Sequence, residues 1–305
     1  IGLTQVTTFE LVALLIGMIA LICSPFVSLQ DGFSAVYCNN HQVEYSSLRI
    51  YASIAYVIAT LIAGYVGFYY GYELLFMMAG IFFIVTSLVA FWIKPIEHAV
   101  STEPKPKRNI KALLKNKNFY KYLIFYTLVV GGVRIGDSFF GVYITNALDM
   151  SAIGYGWIYS MFVLVEVVVL RWMIQKGPTF SEKQLIIVAT VSFLLRFLVY
   201  VLNLPLPLII LFSMLRGVSW GILLYVHIRY VIRIVKVENV TAAIMIITLL
   251  FSIFTGIGNA WAGRFITLHG YAYLYGILSV IISLGLVFYL IFPPRINASA
   301  EGSYR

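Results

Sequence analysis

Six charged residues sit inside long apolar runs: Arg134, Asp137, Glu166, Arg171, Arg196 and Arg216. A charge in hydrocarbon costs on the order of 3 kcal/mol even on lenient insertion scales, so such residues face one another or a wet cavity. Carboxylates and guanidiniums placed this way can hold polar solutes and hand protons on. Glu166 is about mid-run; desolvation disfavours its anion, so its carboxyl can take up and release a proton as its surroundings change. Arg196 stays charged in any protein environment and needs a carboxylate or polar ligand. We expect it to pair with Glu166 on the preceding helix, either statically or in alternation with substrate. Arg134 and Asp137 are three residues apart and share a helix face. They read as a self-neutralising ion pair, or as part of a cavity wall beside Gly131, Gly132 and Gly136, with Asp137 a second candidate proton carrier. Arg216 has no acidic neighbour on its own helix; it binds an anionic or hydroxyl-rich solute, or pairs with Asp137. Arg171 is near a run's end and snorkels.

The elements that carry these residues are transmembrane helices. Hydrophobic residues make up 61% of the chain and charged residues 11%, whereas a soluble domain carries about 25% charged residues. Runs of about 20 apolar residues, enough for one span each, follow one another at 8–29, 50–70, 74–94, 119–147, 152–174, 185–203, 206–232, 240–263 and 271–292. The fold class is therefore all-α, a polytopic helix bundle with about nine transmembrane helices. Ten-residue alternation of the kind that builds a barrel is absent from the sequence.

The net charge of +9 does not point to nucleic acid. Lys105, Lys107, Arg108, Lys111, Lys115, Lys117 and Lys121 cluster between two spans, as in cytoplasmic loops, and no nucleic-acid-binding motif accompanies them. Cys23 and Cys38 lack a C-x-x-C partner or a His at zinc spacing, so no disulfide, metal or cofactor is expected. H-E-x-x-H and G-x-S-x-G are missing, and Arg134-Ile135-Gly136-Asp137 lacks the first glycine and second aspartate of a membrane aspartyl protease, so an enzyme is not expected.

The basic connector divides the spans unequally. Transporters built of two six-helix halves carry such a connector at their middle. On that plan residues 1–94 are the remainder of an amino-terminal bundle, 95–118 a basic cytoplasmic linker, 119–293 a six-helix bundle and 294–305 a cytoplasmic tail, with three further helices expected ahead of Ile1.

Particular segments resemble a known group. SPFVSLQDGF from Ser24 and EYSSLRIYASIAYVIATLIAG ending at Gly64 are similar to the fourth and fifth helices of the lactose-permease-like branch of the major facilitator superfamily, which includes nucleoside:proton symporters and phenylpropionate-permease-like proteins. Asp31 and Arg49 match that branch's carboxylate and arginine; Ser46 and Ala52 stand where it usually has Gly. GWIYSMFVLVEVVV resembles helix eight with Glu166 at its embedded glutamate, SFLLRFLVY helix nine with Arg196, and SMLRGVSWGILLYVHIRYV helix ten, with Arg216 in place of the common His and Ser219 where the lactose permease has its proton-carrying glutamate. The resemblance implies twelve helices in all. It also implies a substrate site of Asp31, Arg49, Glu166, Arg196 and Arg216, with the Trp157 ring available to stack on a sugar or base, and proton coupling through Glu166 or Asp137. Read by themselves, Asp31 and Arg49 are interfacial residues.

The function expected is secondary active transport of a small polar organic solute, saccharide or nucleoside first and an organic acid as the alternative, by a monomer in a bacterial cytoplasmic membrane. Its partners are the solute, protons and lipid.

Overall fold

The computed structural model describes residues 45–92, 115–235 and 239–294, together with Leu113 and scattered positions before 45. Much of the expected span at 8–29, nearly all of the basic linker, the tail beyond 294 and Asp31 lie outside the described residues. Among the described residues every regular element is helical.

The helices are α1 (Tyr45–Tyr69), α2 (Gly71–Trp92), α3 (Lys117–Val142), α4 (Ala152–Lys176), α5 (Glu182–Val201), α6 (Leu206–Ser213), α7 (Leu215–Ile234), α8 (Val240–His269) and α9 (Tyr271–Ile291). Helix α3 runs on through a π turn at Tyr143–Ala147. Helices α6 and α7 form one continuous span, Leu206–Ile234, interrupted only at Met214. Among the described residues eight helices are thereby long and apolar enough to cross a membrane, and they coincide with the last eight of the expected spans. The chain is a multi-pass membrane protein.

The helix ends follow from local chemistry. The Asn116 side chain accepts from the backbone N–H groups of Asn118 and Phe119 at 2.9 and 3.3 Å, closing the start of α3 as an N-cap should. Its Nδ2 donates to the Ile234 carbonyl at 2.8 Å, so one side chain satisfies the first turn of α3 and the last of α7. Ser181 and Gln184 form a reciprocal capping box at α5. Gly270, at φ 83°, makes the sharp turn between α8 and α9 that a side chain would resist.

The chain divides into two units, Ile1–Pro104 with Ser151–Ser160, and Lys105–Met150 with Met161–Arg305. The first turns of α4 group with the first unit. In that unit α1 packs on α2, and Gly64 meets Gly156 so closely that a Cβ on Gly64 would lie 3.2 Å from the Gly156 Cα. Thr60 and Ser160 join hydroxyls at 2.8 Å across the same crossing. Among the described residues none of α2 is buried.

In the second unit α3 packs on α8 and α9, and α5 packs on α7 and α9. Lipid tails are as apolar as leucine, so close van der Waals approach, rather than hydrophobic expulsion, holds such helices together. Small residues at the crossings permit it. A Cβ on Gly285 would lie 2.8 Å from Val129 Cγ2. One on Gly217 would collide with the Phe162 carbonyl, and one on Gly221 would lie 2.9 Å from the Glu166 carbonyl. The small-x-x-x-small pair on α7 therefore seats that helix directly on the α4 backbone.

Replacing Gly217 with Val is expected to destabilise the solubilised protein by at least ~1–3 kcal/mol, because the obstructing atom is backbone. Gly256→Ala, where the added methyl meets nothing within 4 Å, should leave the melting midpoint unchanged or higher. Differential scanning fluorimetry in detergent compares the two.

Candidate functional site

Three helices of the second unit bring ionic side chains together. Asp137 lies on α3, Arg196 on α5 and Arg216 on α7. Arg196 donates from Nη1 to Asp137 Oδ1 at 2.6 Å, and Arg216 donates from Nε to Asp137 Oδ2 at 3.0 Å. Each carboxylate oxygen thus serves one guanidinium. Arg196 is 0% exposed and Arg216 6%. Guanidinium cannot shed its charge in a protein, so their burial has to be offset by a carboxylate and by further donors and faces.

Arg196 is held on every side. Its Nε donates to the Tyr200 hydroxyl at 2.8 Å, and that hydroxyl is hydrogen-bonded to Ser213 Oγ on α6. Aromatic rings surround its charge centre, with Phe140 at 5.2 Å, Phe197 at 5.4 Å, Tyr200 at 5.5 Å and Phe162 at 5.8 Å. The negative faces of these rings attract the cation by about 0.5–2 kcal/mol each. Phe162 is also 5.7 Å from the Arg216 centre. Arg196 Nη2 is buried and has no hydrogen-bond partner among the described residues. Gly136, next to Asp137, admits the Phe197 ring, and its carbonyl accepts from Tyr275 at 3.1 Å. These contacts fix how α3 is turned toward α5.

The partners differ from two sequence expectations. Asp137 does not pair with Arg134. Neighbours on one helix face are close, but both oxygens of Asp137 are taken by guanidiniums from other helices, and Arg134 lies instead over the Trp220 ring of α7 at 5.1 Å. Arg196 was expected to pair with Glu166 and pairs with Asp137, because α5 meets α3 at Gly136. The alternative of an Arg216–Asp137 pair is the one the structure contains.

Glu166 is half-buried on α4, at the backbone crossing with Gly217 and Gly221. Trp157 belongs to the first unit, where it is 54% exposed. Arg49 lies on α1, with its side chain outside the described residues, as is Asp31. Sequence reasoning missed Tyr200, Ser213, Phe140 and Phe162. Tyr200 carried a signal, four residues beyond Arg196 on the same helix face; Ser213 carried none.

The sequence matches the MFS_1 like family over residues 1–290. It is 19% identical over 263 residues to a maltose permease of Geobacillus stearothermophilus, an alignment covering 86% of this chain and 64% of the permease. It is 24% identical over 296 residues to the uncharacterized transporter YwbF of Bacillus subtilis (strain 168), covering 93% of this chain and 71% of that protein.

Asp137→Asn is expected to cost about 3–5 kcal/mol, since it strands two buried cations. Adding Arg216→Gln should return part of that loss, giving a non-additive cycle. Chemical-denaturation midpoints of the four proteins measure it; additive losses would mean that the pair seen at 3.0 Å contributes nothing.

Proposed function

Starting from the fact that the chain belongs to the MFS_1 like family, we propose that it acts as a secondary active transporter, carrying a small polar organic solute across a bacterial cell membrane by alternating access. The observation that carries this reading is the meeting of Asp137, Arg196 and Arg216 from three helices inside apolar spans. A purely structural bundle gains little from two buried guanidiniums, since replacing a buried ion pair by apolar packing is often neutral or stabilising. Polar groups at mid-membrane belong to a solute path.

The solute is a saccharide or a nucleoside. The relative named a maltose permease supports the first. The site drawn from the sequence comprises Asp31, Arg49, Glu166, Arg196, Arg216 and Trp157. The Asp137 cluster supplies its charged wall in the second unit. Proton coupling runs through Glu166. Asp137 is the weaker candidate, because both its oxygens are taken by guanidiniums. An organic acid is the second reading, favoured by the ratio of two guanidiniums to one carboxylate within this cluster.

The test is uptake of radiolabelled sugars and nucleosides into proteoliposomes under an imposed proton gradient. Glu166→Gln is expected to abolish uphill accumulation and to leave solute exchange measurable. A Glu166→Gln protein that accumulates solute against its gradient as the parent does would remove Glu166 as carrier. Absence of saturable flux from the parent would sink the transporter reading.

A further inference from the structure

The loss of Asp137 as a partner leaves Arg134 as an unneutralised cation. Among the described residues no carboxylate lies within salt-bridge distance of its guanidinium, and the side chain is exposed. It sits well inside the Lys117–Ala147 span. A lone guanidinium pointed into lipid there is costly, so its exposure marks a wet surface.

The surroundings identify that surface. Helices α3 and α7 approach each other mainly through long side chains rather than backbone contact. The bridging groups form a ladder along the seam. Asp137 meets Arg216 at 3.0 Å, Arg134 lies over Trp220 at 5.1 Å, the Tyr126 and His227 rings are 4.4 Å apart, and the Tyr122 hydroxyl meets His227 Nδ1 at 2.9 Å. Arg134, half-buried Trp220, Tyr126 and His227 share this seam. The guanidinium lies over the Trp220 ring, and among the described residues no protein acceptor is hydrogen-bonded to its N–H groups, the part that matches a carboxylate or phosphate.

We propose that Arg134, braced on Trp220, receives an acid group of the transported solute, so that the solute is an organic anion bearing a carboxylate or phosphate rather than a neutral polyol. This rests on the transporter reading and takes its second substrate class, an organic acid, in place of a neutral saccharide or nucleoside.

The experiment uses the full chain in lipid nanodiscs and matched pairs of probes differing in the acid group: glucuronate with glucose, uridine monophosphate with uridine, and benzoate with benzyl alcohol. The dose-dependent rise of the melting midpoint gives apparent affinities. At least one acid is expected to stabilise the parent where its neutral partner does not, with binding about tenfold or more weaker in Arg134→Gln, the size of a lost charge-assisted hydrogen bond. Arg134→Lys, which keeps the charge and loses the flat fork, should bind the acid less well than the parent. The proposal is overturned if no acid exceeds its neutral partner, if sodium chloride at matched ionic strength stabilises equally, or if both variants respond as the parent does. The preference is read on the parent itself, so a variant that fails to fold leaves the outcome decided. Uptake into proteoliposomes separates the two readings. Flux of a neutral solute with no acid preference removes the anion claim and leaves the transporter. Acid binding through Arg134 without flux leaves the anion site and removes the transporter.

Discussion

One carboxylate shared between two guanidiniums organises the second unit. Asp137 receives Arg196 on one oxygen and Arg216 on the other, and so ties α3, α5 and α7 at a single point within the membrane. The requirement is severe, because neither cation can be neutralised and both are buried. The aromatic cage around Arg196, the Tyr200–Ser213 hydroxyl pair and the tight passage of Phe197 over Gly136 all follow as ways to seat that charge. The fold around it is built of close helix crossings at small residues, which allow backbones near enough for such short side-chain reach.

The same cluster decides which polar groups remain available. With Asp137 committed, Arg134 lies over Trp220, and Glu166 lies on α4 at the Gly217–Gly221 crossing. The site is therefore graded. A fixed ionic core lies at Asp137, and an exposed cation lies over Trp220 at the α3–α7 seam.

Much of the fold was legible because a membrane leaves few choices. Backbone groups in hydrocarbon must bond within their own segment, so runs of about 20 apolar residues could only be helices, and eight of them recur in the structure. Gly217 and Gly221 also announced their crossing. Partner choice was less legible. Arg134 and Asp137 are neighbours in sequence, and local spacing favoured their pairing. The rotation of α3, set by Gly136 against Phe197 and by Tyr275 on its carbonyl, carries Asp137 toward α5 instead. Such rotations depend on contacts between residues about 60 or 140 positions apart, which spacing along one helix does not encode. The Tyr200 contact, by contrast, is a same-face neighbour four residues from Arg196 and could have been read. Ser213, reached only through the fold, could not.

The most direct test of an ionic site facing water rather than lipid is thiol accessibility. With Cys23 and Cys38 replaced by Ser, a single cysteine at Arg134 is compared with one at Val168, an apolar position on α4 that is 67% exposed. Both are treated in sealed proteoliposomes with a membrane-impermeant, charged maleimide. The thiol in place of Arg134 is expected to react and the one in place of Val168 to stay silent. An unreactive thiol at 134, or equal labelling at both positions, would contradict a wet seam between α3 and α7.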